Sequence, residues 1–382
     1  MIYLDNSATT QPLPEVLDSY HKVSMNYFGN PSSVHHLGSE AERLLGKARK
    51  QASSVFQVDE KEVIFTSGGT EGNNMAIKGT AFMHQTRGKH LITSSVEHPS
   101  VLEAFRALES LGFEVSYLDV NNEGRVNPND VEQAIRKDTI LVSLMSVNNE
   151  LGTIQPIQEV GKLLKNYPTT LFHVDHVQGL GKIPIAIKDF GIDMCTVSGH
   201  KIHGLKGTGA LVVQNHVSLF PLLHGGGQER RYRSGTENLP GVTAFVKALR
   251  MIEEEREISG ADLLQLKESL QKQLQNIPGV YVNTPAHSAP HIVNFSVPGF
   301  KPEVLIHSLG EREVYISTKS ACSSKDSNVS AVLQACRLDQ EKTTSALRVS
   351  MSYLTTHEEI NTFIETLHGA IQELQPTMGR SL

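Results

Sequence analysis

Apolar runs that alternate with helical patterns constrain the fold of this chain more than any other feature. Short apolar segments, typical of buried strands, lie at 63–65, 90–93, 114–118, 139–145, 170–175 and 194–197. Amphipathic helical patterns lie between several of them, at 101–111, 128–136 and 157–166. Strands and helices that alternate in this way form a mostly parallel sheet with helices on its faces. The sequence therefore predicts an α/β fold for this part of the chain.

The pattern changes after a charged helical stretch at 250–258. Further helices are predicted at 263–275 and 302–309, and further strands near 280–283, 292–296 and 346–351. Thr356 and Glu359 have the spacing of a capping box, which predicts a last helix that runs to about residue 374. We expect a large domain over residues 13–257 and a smaller α+β domain made of residues 1–12 and 258–382.

Composition excludes several classes of protein. The net charge of −6 and the absence of a long basic run argue against direct nucleic-acid binding as the main activity. We see no secretory signal, and no apolar stretch approaches the roughly 18 residues of a membrane span. Three cysteines do not make a disulfide framework. We therefore expect a cytoplasmic protein that is not bound to a membrane, and we predict no metal site.

Lys201 is the first candidate for chemistry. It lies in the segment Ser-Gly-His-Lys-Ile-His-Gly at 198–204, just past an apolar strand, and Asp175 ends the preceding apolar run. An enzyme that holds an aldehyde cofactor as a Schiff base needs such an amine, and an acidic residue to pair with a pyridinium nitrogen. Open α/β sheets bind ligands at strand ends, where Asp175 is expected. Taken singly, a buried strand-end Asp and a solvated Lys are the commoner interpretations.

Two groups of small polar residues can hold a phosphate. The segment Ser-Gly-Gly-Thr-Glu-Gly at 67–72 follows an apolar strand and opens a helical pattern. Backbone N–H groups at such a helix start, around Gly69, and the Thr70 hydroxyl form a phosphate seat. Ser198 and His200, beside the lysine, are the second group. A glycine turn alone is weak support, because most such turns are only turns.

His98 and Asn149 also follow predicted strands. His98 precedes Pro99, which suits the first position of a helix, so its ring is expected at a helix start where it can lie flat on an aromatic cofactor. A capping or surface histidine is the alternative. Asn149 follows the strand at 139–145 and can hydrogen-bond the cofactor's phenolic oxygen or a substrate carboxylate.

Two basic elements complete the set. Leu347, Val349 and Met351 share one face of a predicted strand, so Arg348 points to the other face, where a fixed guanidinium can pair with a substrate carboxylate. The segment 224–236 joins a glycine run to three arginines. It is either a solvated basic loop or a loop that closes over an anionic site, including one in a neighbouring subunit.

The three cysteines differ in context. Cys195 lies in an apolar strand and Cys336 in a helical pattern, so both are expected to be buried packing residues. Cys322 lies in a small, polar segment with Lys319 and Lys325 nearby, which favours an exposed, mobile loop and a thiolate. Cys322 is therefore the candidate nucleophile.

In this order, and with Tyr-Leu-Asp-Asn-Ser-Ala-Thr-Thr at 3–10 and Gly-Asn-Pro-Ser-Ser at 29–33, the motifs resemble those of the cysteine desulfurases. These are homodimeric fold-type-I enzymes that depend on pyridoxal 5'-phosphate. The resemblance spans almost the whole chain. It implies that L-cysteine is converted to L-alanine and that its sulfur becomes a persulfide.

The resemblance also implies a role for each candidate residue. It implies that Lys201 forms the Schiff base, that Asp175 pairs with the pyridinium nitrogen, and that His98 stacks on the ring and transfers protons. Gln178 and Asn149 are implied to contact the ring oxygen, and the implied cofactor and phosphate ligands are Gly69, Thr70, Ser198, His200 and the other protomer's Thr236. Arg348 is implied to anchor the substrate carboxylate, and Cys322 to be the nucleophile that forms the persulfide.

Three residues depart from the family pattern. His176 stands where a small residue is usual, which puts an extra titratable ring behind the cofactor. His203 stands where a tyrosine is common, and Leu205 replaces the usual proline. We expect these departures to affect the tuning of the cofactor but not its presence.

Two alternative functions and two acceptors follow from the same resemblance. The alternatives are a selenocysteine lyase of the same fold and a non-catalytic scaffold for sulfur-trafficking proteins, and intact Lys201, Asp175 and Cys322 argue against the scaffold. The acceptor is expected to be a tRNA-thiolating enzyme or an Fe–S scaffold protein. Because family members that dock an Fe–S scaffold use a longer C-terminal extension than the segment 375–382, the tRNA-thiolating enzyme is favoured.

Overall fold

The computed structural model describes residues 1–318 and 329–375. The strands in these ranges are β1 (Ile2–Tyr3), β2 (Val63–Thr66), β3 (His90–Ser94), β4 (Glu114–Leu118), β5 (Thr139–Met145), β6 (Leu171–Asp175), β7 (Met194–Ser198), β8 (Gly209–Val213), β9 (Tyr281–Val282), β10 (Ile292–Ser296), β11 (Val314–Tyr315) and β12 (Ala346–Ser350). The helices are α1 (Pro14–Asn26), α2 (His36–Phe56), α3 (Gly69–His84), α4 (Pro99–Glu109), α5 (Pro128–Ala134), α6 (Ile157–Leu164), α7 (Leu239–Gln275), α8 (Pro302–Gly310), α9 (Ala331–Ala335), α10 (Gln340–Thr344) and α11 (His357–Leu374).

The large sheet has the strand order β2-β8-β7-β6-β5-β3-β4. Neighbouring strands run parallel except at β8, which is antiparallel to both β2 and β7. The predicted α/β fold with a mostly parallel sheet is therefore confirmed. Since β2 and β7 are each antiparallel to β8, they run in the same direction, and the carboxyl ends of β2, β3, β5, β6 and β7 all reach one edge of the sheet.

Both faces of this sheet are covered, because alternate residues of a strand point to opposite sides. In β6, Phe172 and Val174 pack in one apolar cluster with α2, α6 and the first part of α7. Leu171 packs in a second cluster with α3 and α4. Burial on two sides explains why these strands are continuous apolar runs in the sequence.

A smaller antiparallel sheet, β12-β10-β9, packs with α8, α11 and the last part of α7. Its apolar cluster also includes Leu4. The prediction of separate helices at 250–258 and 263–275 is wrong, since α7 is continuous from Leu239 to Gln275. Its middle is exposed, with Ile258 77% accessible, so the apolar pattern fades there although the helix does not end. The domain boundary at 257 stays a prediction.

Helix starts follow their local sequence signals. Pro99 occupies the first turn of α4, and the Thr356 hydroxyl and Glu359 carboxylate form the predicted capping box of α11.

Within residues 1–318 and 329–375, none of the helices combines the length and apolar character needed to cross a membrane.

Candidate functional site

A cavity of about 150 Å³ opens at the carboxyl edge of the large sheet. Met145 at the end of β5 pairs with Asp175 at the end of β6, and Asp175 pairs with Thr196 of β7, so these strands end close together. The cavity is lined by Ser7, Ala8, Gly69, Thr70, Asn73, His98, Ser100, Met145, Val147, Asn149, Asp175, Val177, Gln178, Ser198, His200, Lys201 and Arg348. A cleft at this edge is the usual ligand site of an open α/β sheet.

One end of the cavity is formed by the start of α3. Gly68 has a φ of 144°, a conformation that L side chains rarely adopt, and it brings the helix start close to Ser198. A Cβ on Gly69 would lie 2.9 Å from Val177 Cγ2, so the backbone fits only without a side chain. Backbone N–H groups at this helix start and the hydroxyls of Thr70 and Ser198 are suitable donors for a phosphate.

His200 lies at the same end of the cavity, and its ring is neutral. Burial, with contributions from Lys201 and Lys206, lowers the pKa of His200 to about 4. Its Nδ1 lies 3.2 Å from Thr9 Oγ1. At neutral pH the imidazole therefore offers a hydrogen bond rather than a positive charge.

Lys201 is held on a short helical turn, Gly199–Lys201, that follows β7. Its Nζ donates to the carbonyl oxygens of Ser7 and Ala8, the latter at 2.7 Å. Thr10 donates to His200 O through both its backbone N–H and its hydroxyl, each at 2.9 Å. The segment 7–10 thus fixes both the lysine side chain and the turn that carries it.

A hydrogen-bonded chain links Asp175 to His98. Asn73 Nδ2 donates to Asp175 Oδ2 at 2.7 Å and to Ser100 Oγ at 2.9 Å. Ser100 in turn contacts His98 Nδ1 through its backbone N–H at 3.1 Å and its hydroxyl at 2.8 Å. Burial, reinforced by Lys201 and opposed by Asp175, lowers the pKa of His98. The ring is therefore neutral, with Nδ1 as acceptor and the proton assigned to Nε2.

Arg348 also lines the cavity and is almost fully buried, at 1% exposure. Its Nη1 donates to Asn149 O at 2.7 Å, and its Nε and Nη2 donate to Ser317 Oγ at 3.1 and 2.8 Å. Nη2 also pairs with Asp5 Oδ1 at 3.0 Å. The guanidinium is thus fixed in one orientation beside the cavity, as the alternation in β12 predicts.

The structure brings most of the sequence-predicted site residues together. Those that line the cavity are Gly69, Thr70, His98, Asn149, Asp175, Gln178, Ser198, His200, Lys201 and Arg348. Thr236 is exposed and does not line the cavity of its own protomer. Cys322, Lys319 and Lys325 lie outside the described residues.

The residues that depart from the family pattern have ordinary structural partners. His176 is buried with Nδ1 2.9 Å from Ser146 Oγ, and burial lowers its pKa to about 3, so the ring does not titrate near neutral pH. His203 Nδ1 contacts Gln11 O at 2.9 Å, and its backbone adopts a φ of 59°. Leu205 packs at the edge of the large apolar cluster.

Cys195 and Cys336 are both buried, as predicted. Burial raises the pKa of Cys195 and raises that of Cys336 to about 12. Neither thiol is exposed or readily ionised, so neither is suited to act as a nucleophile.

Several cavity residues were not identified from the sequence. Ser7 and Ala8 act through backbone carbonyls, which carry no sequence signal. Asn73 and Ser100 lie within a few positions of Thr70 and His98, and that proximity was the available signal. Glu97 is buried beside His98, and burial raises its pKa to about 8.

The donor set fits pyridoxal phosphate. The cavity is lined by an amine that can bind the aldehyde and a carboxylate that can pair with the pyridinium nitrogen. It is also lined by a flat ring that can stack on the aromatic ring and a helix start that can hold the phosphate. Two polar atoms that belong to cavity-lining residues, Ser7 Oγ and Asn73 Oδ1, are buried and have no hydrogen-bond partner among the described residues. Such atoms are expected where a polar ligand completes the site.

Comparison with known proteins agrees with this chemistry. Residues 2–363 match the class-V aminotransferase family. The chain is 47% identical over 367 residues to a NifS/IscS protein homologue of Lactobacillus delbrueckii subsp. bulgaricus, covering 95% of each protein. It is 42% identical over 375 residues to the cysteine desulfurase IscS of Methanosarcina thermophila, covering 98% of this chain and 93% of that one.

Solved structures show the same relationship. A NifS-like protein superposes with a TM-score of 0.92 at 35% identity, covering 98% of this chain and 100% of that one. SspA in complex with cysteine superposes with a TM-score of 0.82 at 33% identity, covering 93% of this chain and 100% of SspA. The chain therefore belongs to the class-V aminotransferase family and, within it, to the pyridoxal-phosphate-dependent cysteine desulfurases.

Proposed function

We propose that this protein removes sulfur from L-cysteine, releases L-alanine, and passes the sulfur to an acceptor protein through a persulfide on Cys322. The observation that carries the proposal is that one cavity holds both Lys201 and the buried Arg348. An amine that binds an aldehyde cofactor and a guanidinium that binds a carboxylate together select an amino acid. The relative SspA was solved with cysteine, which supports this choice of substrate.

Pyridoxal phosphate, when bound, supplies an electron sink for bond cleavage next to the substrate amine. Asp175 is proposed to pair with the pyridinium nitrogen, and Asn73 Nδ2 and the Val177 N–H donate to its two oxygens at 2.7 and 3.0 Å. Gln178 and Asn149 are proposed to contact the ring oxygen. Thr70, Ser198 and His200 are proposed to hold the phosphate beside Gly69.

Proton transfer is assigned to Lys201 and His98. Because burial keeps His98 neutral and Ser100 occupies its Nδ1, the ring can hold or give a proton only at Nε2. Lys201 lies on a turn fixed by segment 7–10, so its amine stays at the cavity while protons are moved.

We propose a homodimer in which the partner's copy of the segment 224–236 completes the phosphate site through Thr236. Exposure of Thr236 in the isolated protomer is consistent with a contact that another subunit supplies. A tRNA-thiolating enzyme is the preferred acceptor. The net charge of −6 supports an acceptor that itself holds the RNA.

We expect the purified protein to form L-alanine from L-cysteine, and sulfur to move from the enzyme to an acceptor. Alanine is measured with L-cysteine and with L-selenocysteine, and transfer from ³⁵S-labelled enzyme is measured to a tRNA-thiolating enzyme and an Fe–S scaffold in parallel. Alanine from selenocysteine alone would make the protein a selenocysteine lyase, and no alanine from either would favour a scaffold. Faster transfer to the Fe–S scaffold would overturn the preferred acceptor.

Arg348→Lys is expected to raise KM for L-cysteine by about 10- to 100-fold, because an ammonium cannot form the paired hydrogen bonds of a guanidinium with a carboxylate. The variant keeps the positive charge opposite Asp5, so the fold should survive. Arg312→Lys is a matched control, since Arg312 pairs with Glu373 of α11 at the protein surface. An unchanged KM in the Arg348 variant would place the substrate carboxylate elsewhere.

A further inference from the structure

Asp5 is the carboxylate that contacts Arg348 in the described part of the chain. Its Oδ1 lies 3.0 Å from Nη2, and its side chain is 20% exposed whereas that of Arg348 is 1% exposed. The other contacts of the guanidinium, to Asn149 O and Ser317 Oγ, are to neutral groups. The charge of Arg348 is therefore balanced by a carboxylate of the protein itself.

The position of Asp5 is fixed by the backbone around it. Ser350 N donates to Leu4 O at 2.7 Å, Asn6 N donates to Ser350 O at 3.2 Å, and Ser7 N donates to Ser350 Oγ at 2.8 Å. Ala8 N and Tyr3 Oη donate to the backbone carbonyl of Asp5, at 3.0 and 3.2 Å. These contacts hold residues 4–8 along the end of β12, two positions from Arg348. None of them uses the carboxylate of Asp5.

We propose that Asp5 is a fixed counter-charge that limits how tightly Arg348 holds the carboxylate of the substrate and of the product. The proposal rests on the role of Arg348 in the proposed function. A ligand carboxylate must approach a guanidinium that already pairs with Asp5. The ligand carboxylate and the Asp5 carboxylate are then close to the same guanidinium, and their like charges repel each other. The attraction between Arg348 and an incoming carboxylate is reduced accordingly.

The reaction gives this restraint a purpose. L-Cysteine and L-alanine carry the same carboxylate, so Arg348 attracts the product as well as the substrate, and Asp5 weakens both attractions. The weaker attraction lets L-alanine dissociate faster, whereas carboxylate binding that is the same in substrate and transition state adds nothing to the chemical step. Asp5 is therefore a positioning residue that acts through Arg348, without contact to the reacting atoms.

The variant Asp5→Asn removes the negative charge of residue 5 and keeps its hydrogen bond with Arg348. An asparagine Oδ1 still accepts the hydrogen bond from Nη2, and the backbone contacts of residues 4–8 do not depend on the side chain. We expect the dissociation constant of the cofactor-loaded enzyme for L-alanine to fall by on the order of tenfold, since the repulsion is removed. It is measured from the absorbance change of the bound cofactor on titration with L-alanine.

Ethylamine is the control ligand, because it presents the same amine without a carboxylate. Its dissociation constant should be the same in the wild type and in Asp5→Asn. A general distortion of the site would instead change the dissociation constants of both L-alanine and ethylamine. Asp5→Ser, a second neutral variant, should tighten L-alanine binding in the same direction, and Asp5→Glu, which keeps the charge, should not. Weaker or unchanged L-alanine binding in both neutral variants overturns the proposal.

The same titration with Arg348→Lys separates this inference from the proposed function. If that variant binds L-alanine as tightly as the wild type, the carboxylate is not held by Arg348 and the proposed function of that residue fails. If it binds L-alanine more weakly, but the neutral Asp5 variants do not bind it more tightly, only the role of Asp5 fails.

Discussion

Lys201→Ala should give a folded protein that lacks the visible absorption of a lysine-bound cofactor and forms alanine at least about a thousandfold more slowly. The fold should survive because the turn that carries Lys201 is held by backbone contacts. Gly199 N donates to Thr208 O, Ile202 N donates to Gly199 O, and Thr10 donates to His200 O. The amine itself binds carbonyls of residues 7 and 8, which water can satisfy in the variant.

Lys206→Ala is the matched control, since Lys206 lies five residues beyond Lys201 in the chain. It is exposed and does not line the cavity, so this variant should keep both the absorption and the activity. Borohydride reduction followed by peptide mapping identifies the lysine that carries the cofactor. A cofactor label on Lys206 in the wild-type protein would show that the assignment to Lys201 is wrong.

Cys322→Ser should abolish transfer of sulfur to any acceptor, while the absorbance change on addition of L-cysteine remains. The first effect follows because a serine hydroxyl is not ionised near neutral pH and does not form a persulfide. The second follows because cofactor and substrate binding depend on Lys201 and Arg348. The two readouts are ³⁵S transfer from labelled enzyme and an absorbance titration with L-cysteine.

The described residues on both sides of the segment 319–328 support this prediction. Ser317 Oγ accepts from Arg348, and Ser330 Oγ donates to Glu150 Oε2 at 2.5 Å, next to Asn149. Ser317 is thus held beside Arg348, and Ser330 is held beside Glu150. Cys336→Ala, which removes a buried thiol, is the control and should retain transfer. Full transfer in Cys322→Ser would favour a lyase that needs no protein thiol.

Most strands of the large sheet were predictable because they are buried on both faces and form continuous apolar runs, whereas the edge strand β4 is only partly buried. β4 and β5 have the predicted bounds, and β3, β6 and β7 differ from prediction by a single residue. β8 was missed, since it begins with Gly209 and follows a glycine-rich turn rather than a helix. β1 and β11 are two residues long and pair with each other across the chain, so neither has a local pattern.

The candidate site was predictable where side chains follow strand ends, as Asp175, Ser198 and His98 do. It was not predictable where distant segments meet through the backbone. Ser7 O and Ala8 O contact Lys201 from positions 193 or more residues away, and any residue type offers the same carbonyl. The Asp5–Arg348 pair joins positions 343 apart, and one sequence without an alignment gives no signal for it.

Residues 4–10 also have a consequence for biosynthesis. They are translated long before β12, yet the docking of residues 4–8 onto β12 requires Ser350. Closure of so long a loop is among the slow steps of folding, because its entropy is lost before the contacts are gained. A nascent chain on the ribosome can form β2 to β7 without a complete lysine site. Capture of the cofactor is therefore expected to be largely post-translational, and it reports that residues 4–8 have docked onto β12.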